Sequence, residues 1–67
     1  MKVYRFNNLL INLEEVNYIN KVQSKFYHDK YYLIFSMKNG SEFCSAEESE
    51  EKINSKMDYI IRLMERN

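Results

Sequence analysis

Gly40 is the only glycine in the chain, proline is absent, and that glycine follows an asparagine. Asn-Gly between two apolar runs is the strongest short-range hairpin signal, because a two-residue type I′ turn needs positive φ at both central positions. The dipeptide joins residues 31–38 (Tyr-Tyr-Leu-Ile-Phe-Ser-Met-Lys) to Glu42, Phe43 and Cys44. The first run is dense in aromatic and branched side chains, as strands are. Alternation puts Tyr31, Leu33, Phe35 and Met37 on one face and Tyr32, Ile34, Ser36 and Lys38 on the other. The first set is the expected core face.

Upstream, residues 16–24 read as a partner strand and residues 25–30 as a polar loop between the two. The frame of this strand is open: Val16, Tyr18 and Val22 share one parity and Ile19 has the other. A bulge would reconcile them. Residues 2–6 and 9–13 form two further short strands around Asn7-Asn8, a pair tolerant of left-handed geometry. Glu14-Glu15 then interrupts extended structure, as a helical turn would. Whether the first two strands join the same sheet is left open.

The last segment carries the clearest helical pattern. Ala46, Ile53, Met57, Ile60, Ile61 and Met64 fall on one face at helical spacing. Ser45 followed by Glu48 reads as a capping box. Glu47, Glu48 and Glu50 near the start and Arg62 and Arg66 near the end match the helix dipole. Glu48–Lys52 and Asp58–Arg62 are favourable i,i+4 pairs. The spacing predicts a helix over about residues 46–65. The expected architecture is α+β: one domain over residues 1–67, with an antiparallel meander of four to five strands within residues 2–44. One C-terminal amphipathic helix then packs on one sheet face.

At 67 residues the chain is small for a self-sufficient core, and small domains usually carry a disulfide, a metal or a second subunit. Cys44 is the only cysteine and His28 the only histidine, so an intrachain disulfide is impossible and a zinc site has too few soft donors. An efficient core or self-association remains. Ten basic and ten acidic residues cancel, which removes the global field of a non-specific nucleic-acid or membrane binder. The halves differ slightly: six Lys/Arg against four Asp/Glu in residues 1–44, and four against six in residues 45–67. The longest apolar run, five residues from Tyr31, is far below the ~18 residues of a membrane helix. With one thiol and no export signal, the expected location is the cytoplasm.

The rhythm Ile11-Asn12-Leu13-Glu14-Glu15-Val16-Asn17-Tyr18-Ile19, followed by an aliphatic strand, Asn39-Gly40 and an acidic capped helix, resembles small uncharacterised β-meander-plus-helix proteins of low-GC bacteria and their phages. The resemblance covers most of the chain. It implies a fold and a phage or mobile-element origin, and brings no catalytic or ligand residues with it.

No carboxylate pair, Ser/His arrangement or metal-ligand spacing stands out, and Gly40 alone makes no phosphate-binding loop. Nothing in the sequence places His28 beside Cys44, whose expected state is a small buried hydrophobe next to Phe43. No enzyme activity, cofactor, metal or small-molecule substrate is expected. Glu14-Glu15 and the cluster Glu47, Glu48, Glu50 and Glu51 read as solvated surface.

Two apolar surfaces exceed what one helix can cover. On the helix, Tyr59 and Leu63 extend the apolar arc by roughly 100° beyond the face that packs on a sheet. They either wrap a sheet edge or loop, or meet another chain. On the far sheet face, Tyr32 and Ile34 are expected, with Ile19 or Tyr18 according to register. Either the first strands fold over this face or it is open for docking. The leading expectation is therefore a protein-interaction module, homodimeric or acting on a host protein, that uses Tyr59 and Leu63 or Tyr32 and Ile34. The alternative is a single-stranded nucleic-acid binder. Lys21, Lys25, Lys30 and Lys38 interleave with Tyr27 and Tyr32, and bases stack on aromatics while basic groups track phosphates.

Overall fold

A computed structural model describes residues 2–6 and 9–65. The Asn7-Asn8 turn and Arg66 lie outside the described residues. Strands β1 (Val3–Phe6) and β2 (Leu9–Asn12) pair antiparallel as a sheet of their own. A 3-10 turn, Leu13–Glu15, leads into β3 (Val16–Gln23), β4 (Lys30–Met37) and β5 (Glu42–Cys44), an antiparallel meander. The two-residue strand β6 (Glu48–Ser49) also pairs with β4, and helix α1 (Glu50–Glu65) ends the described chain. The architecture is α+β with meander order, as expected, and the first two strands form a separate hairpin. No helix among the described residues is long and apolar enough to cross a membrane.

The alternation of β4 is realised. Leu33 and Phe35 are buried, and Tyr31 and Met37 pack beside them. Opposite this strand, β3 carries the bulge that its mixed parity calls for. Val16 faces Met37 and Tyr18 faces Ser36, so two residues of β3 oppose one of β4. The extra residue lets Val16 and Ile19 both turn toward the core, while Tyr18 and Val22 turn away.

Helix and hairpin then share one side of the four-stranded sheet. Ile53 and Ile60 of α1 meet Ile11, Leu13, Val16, Leu33 and Phe35 in one buried cluster. Tyr4 stacks on Phe35, with ring centroids 6.2 Å apart, and stands 6.3 Å from the Tyr59 ring. Backbone bonds hold the hairpin in place: the Leu13 amide donates to the Lys2 carbonyl at 2.8 Å. The Lys2 ammonium donates to the Met64 carbonyl at 2.7 Å, which puts a cation at the negative end of the helix.

Several sequence expectations need correction. The helix starts at Glu50, not near Ala46, because β4 captures the preceding residues. The Ser45 hydroxyl accepts from the Leu33 amide at 2.8 Å, and the Ser45 amide donates to the Leu33 carbonyl at 2.9 Å. Glu48 and Ser49 then pair with Tyr31 and Lys30, so the capping box does not form. The Ser49 hydroxyl instead accepts from the Lys52 amide at 3.4 Å, one turn later than expected, and Glu48 pairs with Lys56 rather than Lys52. Ala46 is exposed, outside the apolar stripe.

The β4–β5 turn is longer than two residues. The Gly40 amide donates to the Met37 carbonyl and the Met37 amide to the Ser41 carbonyl, so Lys38, Asn39 and Gly40 form a three-residue loop. Gly40, at φ +93°, takes the left-handed position that such a loop requires. Lastly, Cys44 is exposed rather than a buried hydrophobe, because β5 turns it to the side away from the helix.

Candidate interaction surface

Register fixes what the uncovered side of the sheet displays, since directly opposed residues in antiparallel strands point the same way. The pairs Val22–Tyr32, Asn20–Ile34 and Tyr18–Ser36 join β3 to β4, and Ile34–Cys44 and Ser36–Glu42 join β4 to β5. Tyr18, Val22, Tyr32, Ile34 and Cys44 therefore form an apolar stripe across three strands. Tyr18 is 51% exposed and Cys44 is exposed, while Val22, Tyr32 and Ile34 are half-buried between their neighbours in the sheet. Ser36, the polar member, is buried, and its hydroxyl donates to the Glu42 carboxylate at 3.4 Å. The side chains that α1 and the β1–β2 hairpin bury are all on the other side.

At one end of this stripe the β3–β4 loop is tied down by hydrogen bonds. The buried Ser24 accepts at its hydroxyl from the Phe26 and Tyr27 amides, at 3.1 and 3.2 Å. The Ser24 amide donates to the Lys30 carbonyl at 2.8 Å, and the Lys30 amide to the Tyr27 carbonyl at 3.1 Å. Outside them, the Gln23 side-chain amide donates to the His28 carbonyl at 2.7 Å. This ordered frame holds out two aromatic rings: Phe26 is 84% exposed and Tyr27 59%. Between loop and sheet lies a shallow pocket of about 340 Å³, lined by Lys25, Phe26, Tyr32, Cys44, Ser45 and Glu47. One lysine and one glutamate line it, so neither sign of charge dominates.

The other sequence candidates are distributed differently. Leu63 packs against the core, and Tyr59 stays 55% exposed beside Tyr4. The buried arc of α1 is thus shifted toward the Leu63 side, leaving Ile61 on the opposite flank exposed.

The basic residues do not converge. Lys21 pairs with Leu33 and so lies on the helix side of the sheet, a correction to its grouping with Tyr32. There it bonds Glu50 at 2.8 Å and Asn54 at 3.0 Å and sits 5.3 Å from the centre of the Tyr31 ring. Lys25 and Lys30 are near the aromatic loop, and Lys30 shares the parity of Tyr32. Lys38 lies past the opposite end of β4, an eight-residue strand of roughly 26 Å.

His28 is exposed in the loop and Cys44 exposed on the sheet, and no group of three or more His, Cys, Asp or Glu side chains could hold a metal among the described residues. Sequence reasoning underrated Phe26. Its signal was an aromatic pair, Phe26-Tyr27, just after Ser24-Lys25 in an otherwise polar loop. Tyr18 was ambiguous until the bulge settled its side. Compared with known proteins, the chain matches no family model, no curated protein and no solved structure.

Proposed function

We propose that this protein is a non-enzymatic, cytoplasmic protein-interaction module whose recognition surface is the open face of the β3–β4–β5 sheet together with the Phe26–Tyr27 loop. One observation carries the reading: hairpin and helix crowd onto a single side of the sheet, and among the described residues no helix or second sheet covers the apolar stripe on the other side. An exposed apolar stripe rimmed by polar residues is the form that docking surfaces take. Phe26 and Tyr32 are the anchors. Aromatic side chains dominate interface energetics, and a fully buried Phe contributes about 1.5–3 kcal/mol. Because Ser24 already fixes the loop, a partner loses less conformational entropy in ordering it. The partner presents a complementary apolar surface of its own, since the pocket beside Tyr32 carries one lysine and one glutamate and selects neither charge.

The test is capture of partners by the tagged chain in its native cells, comparing the parent with Phe26→Ala, Tyr32→Ser and Tyr59→Ala. A protein retained by the parent and Tyr59→Ala but lost by the two open-face variants supports the reading. Loss only with Tyr59→Ala moves recognition to the helix. Binding of a mixed oligonucleotide at low salt that collapses as salt rises assigns the surface to single-stranded nucleic acid instead.

A further inference from the structure

Strand β3 is an edge. It pairs with β4 alone, and no backbone bond from its other side is made to any described residue. Hydrogen bonding in an antiparallel pair alternates, so the free groups can be identified. The Ser24 amide bonds Lys30 across the β3–β4 pair, whereas Leu33 and Met37 bond residues on the β5 side. Even-numbered residues of β4 therefore serve β3, through Val22–Tyr32, Asn20–Ile34 and Tyr18–Ser36. The amides and carbonyls of Ile19, Lys21 and Gln23 point outward and lack a strand partner.

Natural edges of this length are blunted by free charges, proline or bulges. Here the bulge lies at the start of the strand, between Val16 and Tyr18, and leaves the stretch from Tyr18 to Gln23 regular. The one charge in β3, Lys21, is held by Glu50 and Asn54 of its own helix. We propose that two copies of this chain pair β3 against β3, antiparallel, about a two-fold axis through Asn20 and perpendicular to the sheet.

The occupant is a second copy because the edge is complementary to itself. With the axis at Asn20, the outward groups of Ile19 meet those of Lys21 in the partner, twice, and the lysine stem lies against an isoleucine. Moving the axis to Lys21 would set two like charges face to face, which is destabilising. Zero formal charge leaves no net repulsion between copies. The pairing also aligns the open faces: Val22 of one protomer comes beside Tyr18 of its partner, and the two apolar stripes merge into one. Both helices then lie on the opposite side of an eight-stranded sheet. This inference goes beyond the open-face reading and does not depend on it.

Asn20 is exposed and becomes a non-hydrogen-bonded pair with its own counterpart, at a Cα separation near 4.5 Å. In a Cys44→Ser background, mild oxidation of Asn20→Cys should give a covalent dimer, while Val22→Cys, which would face Tyr18, should not. Asn20→Lys should weaken the dimer about tenfold or more, read by sedimentation with native circular dichroism retained. Amides of Ile19 and Lys21 should exchange slowly in the parent at high concentration and quickly in Asn20→Lys. A parent chain that is monomeric at about 100 μM overturns the proposal, as does a dimer that ignores Asn20→Lys and fails to cross-link at position 20. Phe26→Ala leaves the dimer intact. Loss of partner capture in that variant with dimerisation unchanged therefore separates this interface from the open face.

Discussion

The two sides of β4 are chemically alike and structurally opposite. Leu33 and Phe35 face one way and are sealed under α1 and the hairpin; Tyr32 and Ile34 face the other and stay half-buried, beside their sheet neighbours and the Phe26 loop. A strand apolar on both sides normally lies between two layers. Here no second layer is present among the described residues, because both elements able to cover the sheet go to the same side. Covering one face twice gives this small chain a core deep enough to bury Phe35 completely and leaves the other face for contact with something else.

The contrast can be broken most directly at its centre. Phe35→Ala should cost about 3–5 kcal/mol and leave the chain largely unfolded, measured by urea denaturation. A loss under about 1 kcal/mol would mean that the covered side is not the core. Ser24→Ala should cost about 0.5–1.5 kcal/mol by removing the acceptor of the Phe26 and Tyr27 amides, and those two amides should exchange faster than the rest of the loop. Tyr32→Ser sharpens the comparison from the other side. Stability should fall by only about 1 kcal/mol, much less than for Phe35→Ala, while partner capture is lost. The smallest effect belongs to Lys21→Ala. Its ion pair with Glu50 is partly exposed on both sides, so the change should be at most about 1 kcal/mol and should shrink further in high salt.

Much of the fold was legible because it rests on period and turn chemistry. The parity of β4, the loop after Ser24 and the helical spacing of Ile53, Met57 and Ile60 all follow from residue order. What was hidden depends on contacts distant in sequence. The helix start moved because Leu33, twelve residues upstream, competes for Ser45 more effectively than a helical turn does. The side on which Lys21 falls depends on the bulge, which becomes definite only when Val16 and Tyr18 pair with β4. Of the candidate surface, Tyr32 and Ile34 followed from alternation alone. Phe26 did not, because a loop has no period to say which of its side chains stay in water.

The unpaired residue early in β3 has a further consequence. It works as a phase shift in a two-beat pattern: Val16 and Tyr18 share a parity in the sequence, and the added residue sends them to opposite sides of the sheet. Removing Asn17 would make Val16 and Tyr18 neighbours, so plain alternation would keep Val16 toward the core and leave residues 18–23 facing as they do now, with only the bulge lost. The bulge thus lets a strand whose Val16 and Tyr18 share a parity serve a core and a contact face at once, and a chain shortened by Asn17 should display the same stripe on a straighter strand.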